Sequence, residues 1–121
     1  MKNYILGNWK LNQNTKEKVS HFFKSFQEAN TNTSDFIGFA TQAHQITYAL
    51  SEIQDKNIHI GSQDCSTQES GAFTSELSVE SLKDFGVKFS LVGHSERRQY
   101  HQEKNELCLE KIKQCLSLIH I

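Results

Sequence analysis

Proline is absent from the 121 residues, although average usage of about 5% would supply about six. No turn can therefore be fixed by a pyrrolidine ring, and element boundaries must be read from glycine and clusters of Asn, Thr and Ser. No run of 18 or more apolar residues occurs, and the start carries a single Lys2 before a short apolar stretch broken by Asn8. The expectation is neither secretion nor membrane spanning. Charge of one sign is also lacking, since 13 basic residues nearly balance 14 acidic ones for a formal net charge of −1. That balance argues against a nucleic-acid or membrane partner. Cys65, Cys108 and Cys115 are odd in number and lack paired zinc spacing, which predicts buried free thiols in a reducing cytoplasm.

What is present is a regular alternation of short apolar strands and amphipathic helices, the pattern of parallel strands joined by right-handed crossovers. Strands are predicted at about Tyr4–Gly7, Phe36–Ala40, Ile58–Ser62 and Phe89–Gly93. A helix over Thr15–Ala29 has Val19, Phe22, Phe23, Phe26 and Ala29 along one stripe. A shorter one spans His44–Ile53, and Ser78 caps another that runs to Phe85 and stops at Gly86. The last starts near Lys104 and is expected to bury Cys108, Ile112, Cys115 and Leu116, with Glu103, Lys104, Glu106, Glu110, Lys111 and Lys113 as its solvated face. Asn30–Asp35 reads as a loop, and so does the long polar stretch Gln63–Ser75, whose length suggests function.

Two strands end in polar residues suited to chemistry. Leu91-Val92-Gly93-His94-Ser95-Glu96-Arg97-Arg98 delivers a histidine and charged groups, and Tyr4-Ile5-Leu6-Gly7-Asn8-Trp9-Lys10 delivers Asn8 and Lys10. With Gly71-Ala72-Phe73-Thr74 between them, these segments resemble the triosephosphate isomerase family in order and separation, over about Tyr4 to Leu116. The resemblance implies an α/β fold, a partial TIM (β/α)8 barrel comprising its first four parallel strands with their helices. A whole barrel takes about 250 residues, so the chain is about half of one.

Carried residue by residue, the resemblance makes His94 the electrophile that donates to both oxygens of an enediolate. In that family the histidine is kept neutral by a helix N-terminus, a property the resemblance supplies; Ser95-Glu96-Arg97-Arg98 is compatible as the start of such a helix. Lys10 brings positive charge to the substrate phosphate and the developing enediolate. At about 4 Å and an effective dielectric of about 20 such a pair is worth on the order of 4 kcal/mol. Asn8 binds a substrate oxygen and orients Lys10, Glu96 accepts from the Lys10 ammonium, and Ser95 holds the catalytic base at rest. That base, a glutamate on the sixth strand, has no counterpart among these residues, and the phosphate-binding amides of the last strands are absent as well. Thr74 is implied as a dimer contact, in a loop that enters a neighbouring subunit. Arg97 and Arg98 are expected in structural ion pairs rather than on phosphate. Ser75 stands where the family commonly has glycine, at a cost of about 1 kcal/mol if φ is positive there.

The implied reaction interconverts dihydroxyacetone phosphate and glyceraldehyde 3-phosphate, without cofactor or metal, in a cytoplasmic homodimer of glycolysis and gluconeogenesis. Residues 1–116 are expected to be the barrel half. Leu116-Ser117-Leu118-Ile119-His120-Ile121 matches a reading frame of a sequencing-library adapter, so residues 117–121 are expected to be a non-native tail on a truncated frame. Two other classes stay open: a non-catalytic, self-associating half-barrel fragment, and a different phosphosugar barrel enzyme.

Overall fold

The computed structural model describes residues 1–29 and 33–118. Four parallel strands, β1 (Tyr4–Asn8), β2 (Phe36–Thr41), β3 (Ile58–Ser62) and β4 (Phe89–Ser90), pair in sequence order to form one sheet. Between them run α1 (Lys16–Ala29), a 3₁₀ turn at Ala43–Gln45 continuing into α2 (Ile46–Glu52), and α3 (Val79–Asp84). Two helices follow β4: α4 (Ser95–His101) and α5 (Asn105–Leu118). The curled sheet with helices on one face is the front half of a (β/α) barrel. Of the expected loop at Asn30–Asp35, residues 30–32 lie outside the described residues, as do residues 119–121 of the expected tail; Ser117 and Leu118 continue α5.

Alternation along the strands sends Ile37, Phe39, Ile58 and Ile60 towards the helices, where they meet Val19 and Phe23 of α1, Ile46 and Ala49 of α2, and Val79 and Leu82 of α3 in one core. Phe39 packs its ring against Phe22, Phe23, Phe26 and Trp9, at centroid separations of 5.0–6.4 Å. Each fully buried ring contributes about 1.5–3 kcal/mol, so this aromatic cluster fixes α1 on β1 and β2. Ser78 caps α3 by accepting from Ser81 N–H at 3.2 Å, and Gly86 ends it at φ 95°.

Three expectations are corrected. β4 ends at Ser90 instead of Gly93: β3 stops at Ser62, its last pairing partner, and Gly93 turns the chain at φ 68°. Ala29 is exposed rather than part of the α1 stripe. In α5 the buried stripe is Cys108, Lys111 and Cys115, while Ile112 and Leu116 are 37% and 65% exposed. Glu103 and Lys111 are thus not on a solvated face; each is 3% exposed. Carboxylates of Asp64 and Glu103 meet the Lys111 ammonium at 2.7 and 3.0 Å, which compensates its burial.

The sheet's other face carries Phe89, whose ring lies over Gly61 and Gly38. A Cβ built on Gly61 would fall 2.4 Å from that ring, and one on Gly38 2.5 Å. Phe36 bridges the same face, stacked on His59 at 4.2 Å and edge-on to Phe89 at 6.0 Å. Tyr4, Ile5 and Leu6 of the edge strand β1 remain exposed.

Candidate active site

The carboxyl ends of the strands converge on one side of the sheet, where barrels carry their chemistry. β1 delivers Asn8, whose Oδ1 accepts from the Lys10 N–H at 2.9 Å. That bond closes a tight turn in which Lys10 has φ 55°, and it aims the lysine side chain across the strand ends. From beyond β4 comes Gly93, where a Cβ would lie 2.9 Å from both the Arg98 guanidinium and Cys108 Sγ. Only glycine fits there, and it sets His94 at the N-cap of α4.

His94 Nδ1 accepts the Glu96 N–H at 3.1 Å. With that lone pair engaged, the imidazole proton resides on Nε2, which is left as the donor. Glu96 also turns its carboxylate onto Lys10, with Oε1 2.9 Å from Nζ and Oε2 3.7 Å from His94 Nδ1. The hydrogen bond from Lys10, with its charge acting in the same sense, outweighs the effect of burial and holds the Glu96 carboxyl below the ordinary glutamate value. Both partners of the ion pair are about half exposed, so solvent screening leaves it little net stabilising value and its role is orientation. The arrangement therefore presents a fixed cation and a neutral N–H donor side by side. That pair can stabilise negative charge developing on two neighbouring oxygens.

The structure brings together Asn8, Lys10, His94 and Glu96. Ser95 opens α4 and is exposed. Thr74 lies in an exposed part of the third loop, which joins β3 to α3 over residues 63–78, and no hydrogen bond or ion pair among the described residues links it to this cluster. Arg97 pairs with Asp64 and Glu103, each at 3.4 Å, and Arg98 donates to the Gly93 carbonyl at 2.8 Å and to Asn105 Oδ1 at 2.8 Å. Arg98 thus holds the backbone beside His94, and Arg97 ties α4 to the carboxylates of Asp64 and Glu103. Ser75 has φ 71°, the left-handed conformation in which serine is strained.

Two supporting residues escaped the sequence reading. Gln63 donates through Nε2 to the Lys10 carbonyl at 2.8 Å and to the Ala40 carbonyl at 3.2 Å, stitching the ends of β1 and β2 together. Asp64 joins Arg97 to Lys111. Their signal was position: both follow directly on β3, where a barrel exposes its working residues. Among the described residues no group of three or more His, Cys, Asp or Glu side chains could hold a metal ion, and no helix is long and apolar enough to cross a membrane.

A family model described as triosephosphate isomerase matches residues 3–119. The chain is 42% identical over 108 residues to the triosephosphate isomerase of Psychromonas ingrahamii, covering 88% of this chain and 43% of that protein. It is 38% identical over 113 residues to that of Mycoplasma genitalium, covering 93% and 46%, and 38% identical over 113 residues to that of Taenia solium, covering 93% and 44%. The chain thus spans less than half the length of these curated relatives.

Proposed function

The chain belongs to the triosephosphate isomerase family, and from that premise we propose that the complete protein carrying these residues interconverts dihydroxyacetone phosphate and glyceraldehyde 3-phosphate. The observation that carries this reading is the Lys10–Glu96 ion pair of 2.9 Å beside a histidine whose Nδ1 is occupied by the Glu96 amide. In the proposed reaction a base moves a proton between adjacent carbons while negative charge collects on their two oxygens. His94 Nε2–H donates to those oxygens in turn, and the Lys10 ammonium attracts both the enediolate and the phosphate. Asn8 fixes the lysine turn and offers its NH2 group to substrate. Glu96 keeps Lys10 extended, and Ser95 steadies the resting base.

That base is the sixth-strand glutamate implied by the family. It is not among these 121 residues, so residues 1–121 alone are proposed to give no turnover. Thr74 is proposed to reach the site of a second subunit in a homodimer, and the parent enzyme to work in cytoplasmic glycolysis and gluconeogenesis. The exposed Tyr4, Ile5 and Leu6 favour one further reading for the isolated chain, a self-associating half-barrel without catalysis.

A chimera joining residues 1–116 to strands five to eight of the Psychromonas ingrahamii relative tests the proposal. It should isomerise glyceraldehyde 3-phosphate in a coupled assay, and Lys10→Met should lower kcat/KM on the order of a thousand-fold, the equivalent of about 4 kcal/mol. A folded chimera without turnover, or one indifferent to Lys10→Met, would sink the reading.

A further inference from the structure

The sulfurs of Cys65 and Cys115 lie 3.5 Å apart, although the residues are 50 positions apart in sequence. Cys65 sits just beyond β3 in the third loop, and Cys115 faces it from the last turns of α5; they are 1% and 0% exposed. One turn before Cys115, Lys111 already reaches Asp64, the residue preceding Cys65, at 2.7 Å. Two consecutive residues of the loop are therefore held against two successive turns of one helix, once by charge and once by sulfur contact. Burial of two uncharged thiols needs no second sulfur nearby, so the juxtaposition calls for a use.

We propose that Cys65 and Cys115 close a reversible disulfide, with a peroxide as the oxidant, that staples the exit of β3 to α5. The sulfurs need to approach by about 1.5 Å to reach the bonded separation of about 2.05 Å. Cys115, as thiolate, attacks one oxygen of hydrogen peroxide; the O–O bond breaks, and a sulfenic acid and hydroxide result. Cys65 then attacks the sulfenic sulfur, the S–O bond breaks and the S–S bond forms. Two thiols and one peroxide become one disulfide and two waters, the sulfurs being oxidised and the peroxide oxygens reduced. The order of attack follows from the contact: a hydrogen bond from Cys65 holds the Cys115 thiol below its ordinary value against the effect of burial, and the same bond together with burial pushes Cys65 up.

Burial restricts access to an oxidant as small as peroxide, and a cleft lined by Gln63, Asp64, Leu77 and Arg97 reaches Cys65. Cys108 is excluded as a partner. It stands seven residues back along the helix, about 10 Å from Cys115 by helical rise and beyond bridging reach, and its Sγ is engaged with Glu103 Oε1 at 3.6 Å. Once formed, the bridge would enclose the third loop, β4, His94 and α4 in one covalent ring.

The test is a thiol map of the purified chain after exposure to hydrogen peroxide, alkylation under denaturing conditions and digestion without reductant. Met1, fully exposed, serves as the internal measure of exposure because its thioether is oxidised by the same reagent. The expected result is a cross-linked Cys65–Cys115 peptide, alkylation of Cys108 alone, and recovery of all three thiols with dithiothreitol. Oxidation should also raise Tm by on the order of 10 °C, an increase absent in Cys65→Ser. Should Cys65→Ser fail to fold, Cys108→Ser leaves the pair in place and must lose its two remaining thiols together. Complete oxidation of Met1 with Cys65 and Cys115 still alkylatable overturns the proposal, as does independent conversion of either thiol to a sulfinic acid or a bridge to Cys108. None of these readouts depends on isomerase activity.

Discussion

Ser75 occupies φ 71° at the point where the third loop turns back towards Leu77. A β-carbon in that region costs about 1–2 kcal/mol, of which the greater backbone freedom of glycine in the unfolded chain returns part on substitution. Ser75→Gly should therefore stabilise the chain by up to about 1 kcal/mol, read from the midpoint of urea unfolding; a loss of stability would show that the serine side chain contributes something the backbone does not. The strain was legible in the sequence, because Ser75 departs from the family's glycine. Asn8, Lys10 and His94 were legible for a related reason, since each follows an apolar run where side chains project into the open, whereas Glu96 was placed beside Lys10 by the family resemblance alone. Gln63 and Asp64 stand at a strand end too, but inside a polar loop they look like any solvated residue. Only the Lys10 carbonyl and the Lys111 ammonium, 53 and 47 positions away, give them their roles.

At the scale of the element, α5 shows how partners override pattern. Cys108, Ile112 and Cys115 make a plausible apolar stripe, yet the helix turns Lys111 inward to meet Asp64 and Glu103. Burial favours the neutral form of Lys111, but hydrogen bonds to Asp64 and Glu103 outweigh it and leave the ammonium above its ordinary value. Burial likewise pushes Glu103 up, and bonds from Lys111, Arg97 and Cys108 bring it below its ordinary value. The depressed Glu103 contributes stability above the unfolded glutamate value of 4.5, lost as pH falls through the lower folded one. The raised Lys111 contributes below the unfolded lysine value of 10.5, lost as pH rises through the higher folded one. Lys111→Met should cost about 3 kcal/mol at neutral pH by leaving two carboxylates, one of them buried, to share the Arg97 guanidinium 3.4 Å from each, and the variant should lose less on acidification than the parent. Equal acid sensitivity in urea titrations of both proteins would contradict this. In β4 the deciding contact is again remote. Gly61→Ala should destabilise by about 1–3 kcal/mol because Phe89 lies over the glycine, and the double variant with Phe89→Leu should cost less than the sum of the single changes. Strict additivity in that cycle would mean that the ring does not oppose the new methyl.

At the scale of the whole molecule, the sheet is covered on its helical face and only partly on the other. Phe89, Phe36 and His59 close the middle of that inner face, while Tyr4, Ile5 and Leu6 expose an apolar parallel edge. Residues 1–121 should therefore sediment with a concentration-dependent mass, and Leu6→Lys should shift the distribution towards monomer. A single concentration-independent species for the parent chain would contradict that expectation. By itself the sequence determined the succession of strands and helices, the parallel sheet and the polar residues Asn8, Lys10 and His94 that follow its first and last strands. These depend on periodicity, local turn chemistry and short-range geometry, all of which lie within a few residues of each other. The tertiary structure alone decided that Lys111 and Glu103 are buried, that β4 stops at Ser90, that Phe89 lies over two glycines and that Cys65 meets Cys115. Glu103 finds its partners within eight positions, but each of the other outcomes is a balance between desolvation or steric cost and a partner some 28 to 51 positions away, which has no address in the local pattern.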